Sequence, residues 1–199
     1  MVSSKLKEKF EGWVAGGVRP LASLGVTPNT LTVMGLVAST LSALCYIGWR
    51  TNRLLLPAAG ALILLSGLID ALDGVLARTT GSVSAFGGFF DSVSDRYSDA
   101  VVLSAILYAG LCHPAWGLAA IVGSLMVSYT RARAEATGVK MAAVGLAERA
   151  ERMVFLALIS VAAYYNLQIL YWGVVVLAVV AQFTVLQRAA HFYKESGKL

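Results

Sequence analysis

Six apolar runs restrict this chain more than any other feature: residues 30–49, 54–77, 86–111, 114–135, 149–166 and 169–190, parted by short polar breaks. Each is close to the ~20 residues that a helix needs to cross a hydrocarbon layer. With 58% hydrophobic and only 14% charged residues, the chain departs from the soluble balance, in which about a quarter of residues are charged. Six crossings with short connections use up 199 residues. The expectation is an all-α integral membrane protein, one domain over 1–199, with membrane lipid as its solvent.

Before the first run, Leu6, Phe10, Trp13, Val14, Val18 and Leu21 recur at helical spacing beside clustered lysines, the pattern of an interfacial amphipathic helix over 4–21. The break Gly25–Thr30 follows, with Thr27 or Asn29 placed to cap the next helix around Pro28. No short basic region precedes an early apolar run, so a cleaved signal peptide is not expected. With the amino terminus in the cytoplasm, every Lys and Arg except Arg50 and Arg53 falls on the cytoplasmic side, as the positive-inside rule requires. Both termini are then cytoplasmic in a multi-pass protein of the cell membrane. The net charge of +5 is spread between the runs instead of gathered in one patch, which argues against a nucleic-acid partner. Cys45 and Cys112 lie inside apolar runs without ligand spacing and read as packing residues. The tryptophans Trp13, Trp49, Trp116 and Trp172 fall near run ends, as an aromatic belt does, and the isolated His113 and His191 read as surface anchors.

The second and third runs carry Asp70, Asp73, Arg78, Asp91, Asp95, Arg96 and Asp99, although one charge at mid-membrane costs at least ~2.5 kcal/mol on insertion scales. Asp70 and Asp73 share one helix face, as do Asp91 and Asp95. A short loop joins the two runs, so four carboxylates converge. Oxygen donors without His or Cys suit Mg²⁺, Mn²⁺ or Ca²⁺. Gly74, Gly81, Gly87 and Gly88 lie beside them and leave room for a phosphate-bearing ligand near the backbone. Spacing alone leaves two other readings open: ion pairs with Arg78 and Arg96 that specify packing, or a cation pathway through a channel or transporter.

The positions Asp70, Asp73, Gly74, Ala77, Arg78, Gly87, Asp91 and Asp95 resemble, without a departure, the motif of the CDP-alcohol phosphotransferases. That resemblance implies six spans behind an interfacial helix, a cytoplasmic-side active site and a homodimer. It implies attack by an acceptor hydroxyl on the lipid-linked phosphorus of a CDP-lipid donor, with release of CMP and two metal ions, Mg²⁺ or Mn²⁺, on the pyrophosphate. Asp70, Asp73 and Asp91 would hold metal. Asp95 would touch metal and act as the general base. Gly74, Arg78 and Ser84 would meet the CDP part, and Asn29 sits in a turn similar to a family segment near the nucleotide. Asp99 continues the stripe outside the motif, where it would tune the site or pair with a basic residue.

For the acceptor, Ser128–Glu135 and Glu148–Arg152 are similar to the SYxKARAE and ERxER elements of the subgroup that makes phosphatidylinositol phosphate or its archaeal ether-lipid counterpart. Arg131 replaces the lysine and Ala150 a frequent proline. On this carry-over Ser128, Arg131, Arg133, Arg149 and Arg152 would bind the phosphate of inositol 1-phosphate through charge-assisted bonds. Glycerol 3-phosphate is the closest rival acceptor. For the homodimer that the resemblance implies, Gly35 and Ser39, four apart, would support helix contacts.

Overall fold

The computed structural model describes residues 20, 24–141 and 144–197. The expected interfacial helix over 4–21 lies outside the described residues except for Pro20. Among the described residues there are six α-helices and no strand: α1 Pro28–Gly48, α2 Leu55–Thr80, α3 Ala85–Tyr108, α4 Pro114–Glu135, α5 Arg149–Ala162 and α6 Leu167–Ser196. Their order and approximate bounds follow the six apolar runs.

Local chemistry sets the ends. Thr27 caps α1, its side chain accepting from the Thr30 amide at 3.2 Å, with Pro28 in the first turn. Gly81 ends α2 in the left-handed conformation, φ 66°, which a side chain would strain. Ser84 starts α3 by accepting from the Gly87 amide at 2.9 Å. The departure is α5, which stops at Ala162 with Ala163 as its C-cap, while Asn166 caps α6 by accepting from the Gln168 amide at 3.0 Å. At 1.5 Å per residue α5 is about 21 Å long and α6 about 45 Å.

Among the described residues three helices, α1, α2 and α6, are long and apolar enough to cross a membrane. Their faces are arranged for lipid. On α1 the buried positions include Thr32, Gly35, Ser39 and Ser42, while Val33, Met34, Val37, Leu41, Leu44 and Ile47 point outward. Small and polar residues inside with large apolar ones outside is the pattern of helices associating in lipid; in water it would leave an apolar patch that soluble monomers rarely show. The Ser39 and Ser66 hydroxyls lie 2.7 Å apart and Ser66 Oγ donates to the Gly35 carbonyl at 2.9 Å. Gly35 and Ser39 therefore serve the α1–α2 contact within the chain.

α1 packs on both α2 and α3, α2 on α5, α3 on α4, and α6 on α4 and α5. A Cβ at Gly60 would lie 2.7 Å from the Ala157 carbonyl oxygen, so α2 and α5 touch backbone to backbone. The main apolar core, including Tyr46, Leu56, Ile106, Leu170 and Val174, lies between the helices, with smaller clusters around Leu76 and Met141. Buried Cys112 belongs to it, Cys45 packs against it, and both are free thiols. Trp116 and Trp172 are exposed, but Trp49 turns in and donates to the Ala109 carbonyl at 3.1 Å. His113 is the N-cap of α4.

Candidate active site

The α2–α3 turn is short, yet the two helices are not a closely packed pair; α1 bridges them instead. Carboxylates occupy the gap. One oxygen each from Asp70, Asp91 and Asp95 falls within 4.8 Å of the others. Hard oxygen donors this close repel one another without a cation and suit Mg²⁺ or Mn²⁺. Asp91 Oδ1 is buried and has no hydrogen-bond partner among the described residues, as expected of an atom meant for a cation. Asp73 is buried and stands outside that triad, its Oδ2 accepting from Thr32 Oγ1 at 2.6 Å.

A cavity of ≈ 460 Å³ opens on one side. Its lining takes in Asn29, Gly74, Arg78 and Ser84 together with Asp73 and Asp91. The four residues expected to meet the CDP part thus share one space with two of the expected metal ligands. Gly87 and Gly88 line it as well, and a Cβ at Gly88 would meet nothing within 4 Å. Gly81 is a turn residue outside the lining.

On the other side the carboxylates meet α5. Arg149 Nη1 lies 2.7 Å from Asp95 Oδ1 and 3.1 Å from Asp70 Oδ2, and its Nε 3.3 Å from Asp99 Oδ1. Arg152 Nη2 lies 3.1 Å from Asp99 Oδ2, and its Nη1 donates to the Ala147 carbonyl at 3.1 Å. Arg96 reaches Asp95 only at 3.5 Å and donates to the Ser92 carbonyl at 2.6 Å. The packing pairs expected from Arg96 are therefore made mainly by α5.

The residues expected at the acceptor phosphate divide into two groups. Arg149 and Arg152 are held against Asp99, Arg152 with a side chain only 6% exposed. On α4, exposed Arg131 pairs with Glu135 at 3.0 Å, Arg133 is exposed, and Ser128 donates to the Ser124 carbonyl at 3.4 Å. Arg188, read from sequence only as an orienting charge, is buried at 2% exposure, its Nε donating to the Val144 carbonyl at 2.9 Å and its Nη1 to the Val127 carbonyl. An arginine inside the last apolar run was the available signal, since such charges default to function.

Residues 25–186 match the family model of the CDP-alcohol phosphatidyltransferases. The archaetidylinositol phosphate synthase of Pyrococcus horikoshii is 40% identical over 185 residues, 93% of either chain. The phosphatidylinositol phosphate synthase of Mycobacteroides abscessus is 34% identical over 183 residues, 85% of this chain and 80% of that one. Two crystal structures of Mycobacterium tuberculosis phosphatidylinositol phosphate synthase, each 29% identical, superpose over 90% of this chain. The complex with manganese and citrate gives a TM-score of 0.79 over 88% of its own chain, and the form with CDP-DAG bound gives 0.78 over 93%. With its acidic cluster and adjoining cleft, the chain belongs to the CDP-alcohol phosphatidyltransferase family.

Proposed function

We propose that this enzyme transfers the phosphatidyl or archaetidyl group of a CDP-lipid to the hydroxyl of inositol 1-phosphate, forming a lipid inositol phosphate and releasing CMP. The observation that carries the reading is the shared cavity of Asn29, Gly74, Arg78, Ser84, Asp73 and Asp91 beside the Asp70, Asp91 and Asp95 triad. The names of the two synthases and the ligands in the mycobacterial structures agree with it.

In this reading the nucleotide diphosphate lies in the cleft against Gly74, Arg78 and Ser84, near Asn29, and Thr32 keeps Asp73 oriented. Asp70, Asp73, Asp91 and Asp95 hold two divalent cations, Mg²⁺ or Mn²⁺, which when bound neutralise the pyrophosphate charge. Asp95 takes the proton of the acceptor hydroxyl. That oxygen bonds to the lipid-linked phosphorus while the bond from the same phosphorus to the CMP oxygen breaks, and CMP leaves with the electron pair. Ser128, Arg131, Arg133, Arg149 and Arg152 serve the acceptor phosphate, with fixed geometry supplying much of the rate.

The same reading makes 1–199 one domain crossing the membrane six times, with an interfacial helix over 4–21, both termini and the site cytoplasmic, and two copies in a homodimer. The charges of α3 and α5 turn inward to one another, which lowers their cost in lipid, and segment 163–166 completes the short α5 crossing.

The test is CMP release by purified protein supplied with Mg²⁺, a CDP-lipid of either chain type, and inositol 1-phosphate, glycerol 3-phosphate or serine in turn. Release driven chiefly by inositol 1-phosphate is expected. Release with glycerol 3-phosphate alone would keep the chemistry and reassign the acceptor. No release from folded protein with any of the three acceptors would refute this reading.

A further inference from the structure

Asp99 lies one helical turn beyond Asp95 on the same stripe of α3, outside the triad of close carboxylates. Its side chain is 14% exposed and borders a small, partly open cavity of ≈ 30 Å³ with Ser39, Ser98, Ser124 and Arg152. A carboxylate this deep is costly unless it is paired. Each of its oxygens has a different partner: Oδ1 is 3.3 Å from Arg149 Nε and Oδ2 is 3.1 Å from Arg152 Nη2. The two arginines are three residues apart on α5 and share a face, so one carboxylate bridges both.

The bridge has a directional consequence. Arg149 spends its Nε on Asp99, and this turns Nη1 toward Asp95 and Asp70 at 2.7 and 3.1 Å. Arg152 is tied further to the loop before α5 through the Ala147 carbonyl. The entry angle of Arg149 is therefore set from behind, by a residue that touches none of the expected ligands.

We infer that Asp99 is a positioning residue for the acceptor: it fixes the Arg149 and Arg152 guanidinium groups against α3, and acts on the acceptor phosphate only through them. This rests on the acceptor role proposed above for the α5 arginines. It makes a prediction opposite in sign to that of simple charge. An anionic carboxylate repels a phosphate, so on long-range electrostatics alone Asp99→Asn should tighten phosphate binding. Positioning demands the reverse, because a neutral amide releases the arginines from their paired geometry.

The test compares wild type, Asp99→Asn and Asp99→Glu. The readouts are KM for inositol 1-phosphate, KM for CDP-lipid, calorimetric binding of inorganic phosphate in the absence of donor, and the melting temperature. Asp99→Asn should raise the acceptor KM and weaken inorganic phosphate by about tenfold, the size of one lost charge-assisted bond, with KM for CDP-lipid unchanged. Asp99→Glu keeps the charge but moves it by one methylene. It should fall between the other two, whereas long-range charge predicts the wild-type value; it therefore decides the matter alone if the asparagine variant does not fold. An unchanged or lower acceptor KM and unchanged or tighter phosphate binding would overturn the inference, as would a parallel rise of both KM values with a lower melting temperature. If wild type releases no CMP with inositol 1-phosphate, the proposed acceptor has failed, and inorganic phosphate binding still decides the role of Asp99 by the same signs.

Discussion

The two flanks of the carboxylate cluster are built on opposite plans. Toward the α2–α3 turn there is open space, ≈ 460 Å³, with a lining that includes glycine and helix caps. Toward α5 there is almost none: Arg149 and Arg152 make four ion pairs with Asp70, Asp95 and Asp99. An open flank suits a large nucleotide that brings its own charges. A flank crossed by fixed arginines suits a small phosphate-bearing acceptor, whose hydroxyl must arrive at a set angle.

Asp95 stands between the two flanks, facing the Asp70 and Asp91 oxygens on one side and Arg149 on the other. Asp95→Asn should cut turnover by ~10²-fold or more, as loss of a general base does, while CDP-lipid still binds; near wild-type turnover would remove Asp95 from that role. Arg149→Ala strips the α5 flank and leaves three carboxylates without their shared cation. A loss of about 3 kcal/mol is expected, seen as a lower melting temperature, and acceptor KM should rise more than donor KM. A loss confined to donor KM would exchange the two flanks. Thr32→Val removes the hydroxyl from buried Asp73 and should cost about 1.5–3 kcal/mol, as for a hydrogen bond to a charged group. In the kinetics it should affect the donor side. The smallest effect belongs to the cleft wall, where the Cβ of Gly88→Ala has free space. That change should stabilise α3 by up to about 1 kcal/mol through helix propensity, whereas Gly88→Leu, filling the same space, should raise KM for CDP-lipid; an unaltered donor KM would argue that the nucleotide lies elsewhere.

Legibility in the sequence divides along the same line. The open flank was readable because its parts are local: the motif runs from Asp70 to Asp95, and Ser84, the α3 cap, lies within it. Thr27 could be named as a cap from Pro28 and the break before it. The α5 flank is made by residues far apart in the chain, with Arg149 reaching Asp70 across 79 positions and Arg152 reaching Asp99 across 53. Periodicity does not say which arginine meets which carboxylate; that is set by the close packing of α5 on α2 and by the backbone approach at Gly60. Sequence proximity therefore offers Arg78 and Arg96 for the alternative packing reading, and leaves Arg188 as an orienting charge. Gly35 and Ser39, expected to support contacts in a homodimer, meet α2 of the same chain instead; small residues four apart mark a helix contact without naming the partner helix.

The most direct test is a crystal structure of this protein with a CDP-lipid and Mn²⁺, with the manganese located by its anomalous signal. Manganese is expected between the oxygens of Asp70, Asp91 and Asp95, and the cytidine diphosphate in the cleft lined by Asn29, Gly74, Arg78 and Ser84. Nucleotide density outside that cleft, or manganese away from all three aspartates, would contradict this assignment.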